Sequence, residues 1–475
     1  MTEENYLPYE PRMTPTAPDS LNVRRTILIS LSFFTVLLAW SFFNFKVPLL
    51  LDDVLGSFSL KDIVKGAIMA MDNIIAVIVQ PYFGNMSDRT RSKLGRRMPY
   101  IIIGTTSSAV FFIFIPWIRI LAGLILIIFL FDLAMSIYRS ASIAILPDYT
   151  QEKVYSKGSA IQQFIANMGG LFAFIIPIFL GLVESSLSPE WFDAMGFIIV
   201  AAIMFLLIII QALKVKETPT GDKFLQITKK KLEIDASTFK VRESEETRES
   251  PAKGTFLSSY SDSIQIVKNH RDFYYFLMTV FFMYLAFASV EAFFSSFAVY
   301  YFNISEGQAG TLFIAYSGPM ILSAYFVGML GQNKKVGRKK AVKIFLTWLI
   351  ITVLIMAVFV VPTTYHNHNA LLTILVLTLI AIPWMGFIVN SFPILWSLAP
   401  KGKTGIYTGI YYTFNQAAYS FAPIIFGGIL SIFNFMGDYR YIVMFPFILA
   451  LIIIAYLIFF RVKGGDTTDK ENVLK

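Results

Sequence analysis

Long apolar runs separated by short polar connectors set the pattern of this chain. A helix that crosses the hydrocarbon of a bilayer needs roughly 20 mostly apolar residues. Runs of about that length fall at 26–45, 61–83, 99–118, 120–146, 157–182 and 192–212, and again at 271–302, 308–331, 341–361, 370–398, 404–433 and 438–462. Between the two sets lies a polar stretch, 213–270, with "KVKETPTGDK", "TKKKLE" and "RESEETRES". The runs are continuous and lack the strict apolar–polar alternation of a barrel strand, so helices are the only means left of satisfying the backbone in lipid. The pattern predicts an all-α integral membrane protein with twelve transmembrane helices: a tail at 1–25, a six-helix bundle at 26–212, a linker at 213–270, a second bundle at 271–462 and a tail at 463–475. Within the linker, "SDSIQIVKN" at 261–269 predicts a short helix on the membrane face.

Composition agrees with burial in a membrane. Of 475 residues, 56% are hydrophobic and only 15% charged, where soluble domains carry about a quarter. The net charge of +9 does not indicate nucleic-acid binding, because the cations sit in connectors between apolar runs. There is no cysteine, which excludes disulfides and thiolate metal sites, and the three histidines (His270, His366, His368) all fall in connectors. The start of the chain lacks the apolar core and cleavage site of a signal peptide and reads as a polar cytoplasmic tail.

Cations identify the inner face. The densest group is "GNMSDRTRSKLGRRMPYIIIG", Gly84 to Gly104, which gathers Arg89, Arg91, Lys93, Arg96 and Arg97 around Asp88. With the N-terminus inside, that cluster, Arg24 and Arg25, Lys153 and Lys157, "KKVGRKK" at 334–340, Lys401 with Lys403, and Arg461 with Lys463 all face the cytoplasm. The opposite connectors hold Glu184, Glu190, Asp193 and Glu306; their exceptions are Lys46, Lys61, Lys65, Arg119 and Arg440. Both termini are therefore expected in the cytoplasm, with the protein in the cell (plasma) membrane.

The two halves echo each other. Aligning Gly95-Arg96-Arg97 with Gly337-Arg338-Lys339 gives an offset of 242 residues, about half the chain, and paired halves are a mark of alternating-access transporters. The Gly-x-x-x-Asp-Arg stretch ending in Gly-Arg-Arg resembles the signature loop of the major facilitator superfamily. Its longer form, "QPYFGNMSDRTRSKLGRRMPYIIIG", resembles that of sucrose/H+ symporters and the related glycoside–pentoside–hexuronide:cation symporters, as do "YRSASIAILPDYT" at 138–150, "SKGSAIQQFIANMGG" at 156–170 and "GIYTGIYYTFNQAAYSFAPIIFGG" at 405–428. The resemblance implies the two-bundle fold of that superfamily and cation-coupled transport of a small sugar. Two positions depart from it. Lys335 stands in the second-half loop where the first has Asp88, and Gln80 stands where melibiose-type relatives carry an aspartate before the proline of span two. Sodium coupling by the melibiose-type pair is therefore not carried over.

Within the loop, the cations alone are explained by topology, but Gly84, Asp88 and Gly95 are not. Glycine allows close helix approach and turn conformations closed to other residues. Asp88, at the inner end of span two, is expected to pair with Arg89, a neighbouring cation or a helix N-terminus, latching the inner gate with Arg96 and Arg97 close by.

Charges at mid-span are the most informative, since one at the bilayer centre costs about 2.5–3.5 kcal/mol even on the mildest scale. Asp72 is the midpoint of span two, Asp132 that of span four with Arg139 seven residues on, and Glu291 lies about a turn outward of the centre of span seven. Asp132 and Arg139 are expected to form a structural pair, with Arg139 also available to a carboxylate during transport. A carboxyl in so low a dielectric can exchange a proton near neutral pH, which is what a symporter needs. Asp72 is the leading candidate for the coupling site and Glu291 the second.

A sugar also requires amides for its hydroxyls and flat apolar faces for its C–H sides. Span eleven offers Tyr407, Tyr411, Asn415 and Tyr419 at four-residue steps, with Gln416 adjacent. Span five offers Gln162, Gln163 and Asn167; span ten offers Trp384 and Asn390 between Pro383 and Pro393, which can break the helix; span one offers Trp40 and Asn44. The candidate substrate set is Trp40, Asn44, Gln163, Asn167, Trp384, Asn390, Tyr411, Asn415 and Gln416. The expected function is proton-coupled import of a disaccharide or other small glycoside by a monomer. No cofactor is expected beyond the coupling H+, with Na+ the other possible ion. An exporter or facilitator of the same fold, or a sugar sensor signalling through the linker, are the alternatives. No nucleophile–base set or phosphate-cradling loop points to an enzyme.

Overall fold

The computed structural model describes residues 21–90, 92–149, 155–215, 265–333, 335–365, 370–400 and 404–464. Twelve long helices and no strand occur among them. We number them α1 Val23–Leu55, α2 Lys61–Arg89, α3 Met98–Phe114, α4 Leu121–Tyr149, α5 Tyr155–Gly181, α6 Pro189–Lys214, α7 Arg271–Ser296, α8 Glu306–Gln332, α9 Gly337–Ile355, α10 Ala370–Leu398, α11 Thr404–Ile432 and α12 Met444–Phe459. The twelve-span expectation holds. Most of the linker and both chain ends lie outside the described residues, although 265–269, within the stretch expected to form a short helix, is helical.

Some boundaries move for local reasons. The apolar reading of span one stopped before Lys46, but α1 continues to Leu55 and is 33 residues long, because that lysine and the acids beyond it are partnered inside the protein. Pro383 and Pro393 do not break span ten: α10 runs unbroken from Ala370 to Leu398. A π-turn at Phe297–Tyr301 extends α7 and another at Met356–Val360 extends α9. The last span is reached through a 3₁₀ stretch, Asn434–Val443. Ser305 caps α8: its hydroxyl accepts from the Gln308 amide at 3.3 Å while its own amide donates to Gln308 Oε1 at 3.1 Å.

By length and composition ten of the helices can cross a membrane. The other two, α2 and α11, are each 29 residues long. They carry Asp72, Asn73 and Gln416 of the candidate site.

Contacts divide the described residues into two compact units. The first draws on Met1–Phe43, Ile78–Ile176 and Glu184–Gly221, the second on Asn44–Val77, Pro177–Val183 and Asp222–Lys475. In the first, α3 packs against α4 and α6, and a cluster of Phe42, Phe112, Phe131 and Phe197 fills the core. In the second, α7 lies against α11 and α12, and α10 lies against α8 and α9. The second unit also holds residues 44–77, the end of α1 and the first half of α2.

The internal echo has a conformational basis. Gly95 and Gly337, aligned from the sequence, both take positive φ, +94° and +72°, at the turns that lead into α3 and α9. A side chain there costs about 1–2 kcal/mol. Gly84 is different: space is open around the position its Cβ would take, so it serves no close helix approach. In thermal unfolding in detergent, Gly95→Ala and Gly337→Ala should each lower stability by about 1 kcal/mol. Gly84→Ala, inside a helix, should leave it level or raise it by up to about 1 kcal/mol. Equal losses at all three positions would contradict this account.

Candidate functional site

Three nominated side chains enter two carboxylate–amide contacts of the second unit, and a fourth, Gln416, adjoins one of them. On α2, Asp72 is buried, and its Oδ1 accepts from the amide N–H of Asn73 at 2.6 Å and from the Asn73 side chain. Asn73 in turn accepts at Oδ1 from Gln416 Nε2 of α11 at 2.6 Å. Asp72 and Gln416 are thus linked through Asn73, a residue the sequence reading did not nominate; its position beside a mid-span acid was the available signal. On α1, Asn44 Nδ2 donates to Glu291 Oε1 of α7 at 2.8 Å. Asn44 was read as a sugar ligand and Glu291 as a coupling acid, and they are partners.

An aromatic cluster joins the two contacts. Phe287 sits one helical turn before Glu291 and stacks on Trp384 of α10, with ring centroids 4.7 Å apart and planes 6° apart. Tyr419, three residues after Gln416, packs on Phe287 and Tyr284. Tyr316 of α8 lies beside Phe287 and within electrostatic reach of Glu291. The result is a continuous strip, Asp72–Asn73–Gln416, then Tyr419–Phe287–Trp384, then Glu291–Asn44. Trp384 is buried, and its indole N–H has no hydrogen-bond partner among the described residues. A buried donor without an acceptor is uncommon, and an incoming hydroxyl oxygen would satisfy it.

Other nominated residues have different surroundings. Asn390 is buried and its amide donates to the carbonyls of Gly386, at 2.8 Å, and Val327, at 3.2 Å. Its oxygen occupies the space that a side chain at Gly331 would need, so the residue ties α10 to α8. Tyr411 is fully buried among Phe276 and Phe392, with its hydroxyl 3.5 Å from that of Tyr284. The tyrosine stripe of α11 is therefore largely the seam against α7. Asn415, in the same helix, is half-buried.

In the first unit, Gln163 and Asn167 bond to each other along α5 at 3.2 Å, and Gln162 donates to the Ser142 carbonyl on α4. The Arg139 guanidinium lies over the Trp40 ring, 5.1 Å from its centre, and Asp132 is almost wholly buried. Trp40 and Arg139 are thus neighbours.

The signature loop has a fixed partner that the sequence reading missed. Arg96 Nε and Arg97 Nε each lie 3.0 Å from Asp148 Oδ2, at the end of α4, and Arg97 also bonds Ser87. All of these lie in the first unit. Asp148 was visible in "YRSASIAILPDYT", but nothing in the sequence connects it to a loop some 50 residues earlier. The side chains of Asp88 and Arg89, and residue 91, lie outside what the structure describes. In the second-half loop, Lys339 donates to the Lys463 carbonyl.

Among the described residues no group of His, Cys, Asp and Glu could hold a metal ion. The site offers carboxylates, amides and aromatic faces, a set suited to polar solutes and protons.

Comparison with known proteins gives the same architecture. The chain matches the family model of the Major Facilitator Superfamily over residues 29–301 and 276–474. No curated protein matches it. Among solved structures, a bacterial homolog of the human lysosomal transporter Spinster, in an inward-facing and unoccupied conformation, is 14% identical with a TM-score of 0.66, over 93% of this chain and 97% of that one. The nucleoside transporter NupG is 13% identical with a TM-score of 0.67, over 92% and 100%. A D-xylose–proton symporter is 13% identical with a TM-score of 0.66, over 93% and 97%. At such identities the likeness is one of fold. With a family match running through both halves and a helical fold shared with three transporters, this chain belongs to the Major Facilitator Superfamily and is a membrane transporter, not an enzyme.

Proposed function

We propose that this transporter is a proton-coupled importer of a small sugar or glycoside, with Asp72 and Glu291 as the groups that exchange the proton. The observation that carries this reading is the pairing of each acid with a carboxamide, Asp72 with Asn73 and Glu291 with Asn44. A carboxamide can serve both protonation states: its N–H donates to a carboxylate, and its carbonyl accepts from a carboxylic acid. An acid so partnered can gain and lose a proton without leaving a buried polar group stranded. Membrane potential supplies about 2.3 kcal/mol per charge per 100 mV to such a cycle.

The aromatic strip between the acids favours a solute with a flat C–H face and hydroxyls, and the free indole N–H of Trp384 supplies a donor. D-xylose and nucleosides, named for two of the similar structures, both contain a pentose. Gln416 and the half-buried Asn415 complete the polar side. The cation-rich loops support a cytoplasmic location for both termini, and a monomer in the plasma membrane belongs to the same proposal.

Uptake of labelled sugars into vesicles, with proton and sodium gradients imposed separately, tests this reading. Accumulation should follow the proton gradient. In Asp72→Asn it should fall by more than tenfold, the scale on which a lost coupling free energy is read, while exchange of labelled for unlabelled sugar persists. Accumulation of Asp72→Asn that still tracks the proton gradient would remove the residue from the coupling role, and dependence on sodium alone would replace the ion. Glu291→Gln should show the same separation of accumulation from exchange; loss of both together would instead make Glu291 part of the binding surface.

A further inference from the structure

A proline inside a helix strands a carbonyl, because its ring has no N–H to give to the residue four positions before it. α8 runs unbroken through Pro319, so the stranded group is the carbonyl of Ala315. The neighbouring helix answers it: Thr378 Oγ1 of α10 donates to Ala315 O at 3.2 Å. In lipid an unanswered carbonyl is costly, and a threonine hydroxyl is one of the few groups that can replace the lost amide. Twelve residues further along both helices the seam is pinned again, where Asn390 Nδ2 donates to Val327 O at 3.2 Å. Both bonds join residues 63 apart in sequence, so together they fix the register of α8 on α10.

The residue after the answered carbonyl is Tyr316, which the sequence reading did not nominate. Its ring lies 6.5 Å from that of Phe287, tilted by 32°, and it is within electrostatic reach of Glu291. Tyr316, Phe287 and Tyr419 are half-buried. Trp384 is different: Phe287, Phe387 and Tyr284 surround it at 4.7, 6.1 and 5.8 Å, and it is only 4% exposed. It can offer its indole N–H but little open ring face. Tyr316 supplies both a half-buried ring and a hydroxyl near the acid. A phenol suits both sides of a sugar, since its ring takes a C–H face and its O–H donates to or accepts from a hydroxyl.

We propose that Tyr316 is a solute-binding residue beside Glu291, and that Thr378 is its positioning residue, holding the turn of α8 that carries it. The inference rests on the reading of the carried solute as a sugar, and adds to that reading a residue that holds it. Without the Thr378 hydroxyl the Ala315 carbonyl is stranded, and the Tyr316 ring loses its set place against Phe287.

Exchange of labelled sucrose, D-xylose and uridine by the full-length protein in sealed vesicles tests this. For whichever of these the unaltered protein carries, Tyr316→Phe should raise KM about fivefold, the loss expected of one hydrogen bond, with the maximum rate held within about twofold. Thr378→Val should raise KM by a similar factor, and Thr378→Ser, which keeps the hydroxyl, should not. The two changes together should be no worse than Tyr316→Phe alone, because Thr378 acts through Tyr316. Pro319→Ala returns an amide to the Ala315 carbonyl, so it should rescue Thr378→Val, including any loss of fold in that variant. An unchanged KM in Tyr316→Phe would overturn the binding role and leave the sugar reading standing. Losses that add in the double variant, or a failure of Pro319→Ala to rescue, would overturn the positioning role. If the unaltered protein carries none of the three solutes, the sugar reading falls and takes this inference with it.

Discussion

A charge placed in hydrocarbon must be held by something, and two kinds of contact recur among the acids of this chain. Some acids are held by amides, as Glu291 by Asn44 and Asp72 by Asn73. Others are held by cations, as Asp52 and Asp62 by Lys65 and Arg440, or Asp148 by Arg96 and Arg97. The distinction is chemical. An ion pair between an acid and a guanidinium or ammonium favours the ionised acid in every state in which it persists. An amide contact leaves the acid able to change. Both kinds join helices, and the second also suits a residue that exchanges protons.

This division orders the molecule. The amide-held acids lie beside the aromatic strip of Phe287, Trp384 and Tyr419. α2 and α11 are joined by Asn73 and Gln416. Polar residues in those helices are expensive in lipid and are retained where they touch one another.

Much of the fold was legible because lipid forces each crossing to be a continuous apolar run. The twelve spans, the Gly95 and Gly337 turns and the short helix within 261–269 all follow from local signals. What was not legible is partnership across distance. The reading treated Lys46, Lys65, Arg119 and Arg440 as exceptions to the charge rule, because their acids lie elsewhere: Glu306 is 260 residues from Lys46, and Asp62 is 378 from Arg440. The same limit explains Asn390, which read as a sugar ligand and in fact bonds two backbone carbonyls. It also explains Tyr411, where four-residue spacing fits a packed seam as well as a binding face. Asp72, Glu291, Gln416 and Trp384 were nominated from sequence because a mid-span acid, amide or indole is rare enough to stand out alone.

The central claim is that protons move with the solute. The most direct measurement uses weakly buffered vesicles loaded with a pH-sensitive dye and given an inward gradient of disaccharide, D-xylose or nucleoside, with no imposed ion gradient. The account predicts that a carried solute acidifies the lumen, and that Asp72→Asn abolishes the acidification while solute still enters. Entry of the solute into vesicles of the unaltered protein with no change in lumenal pH would contradict it.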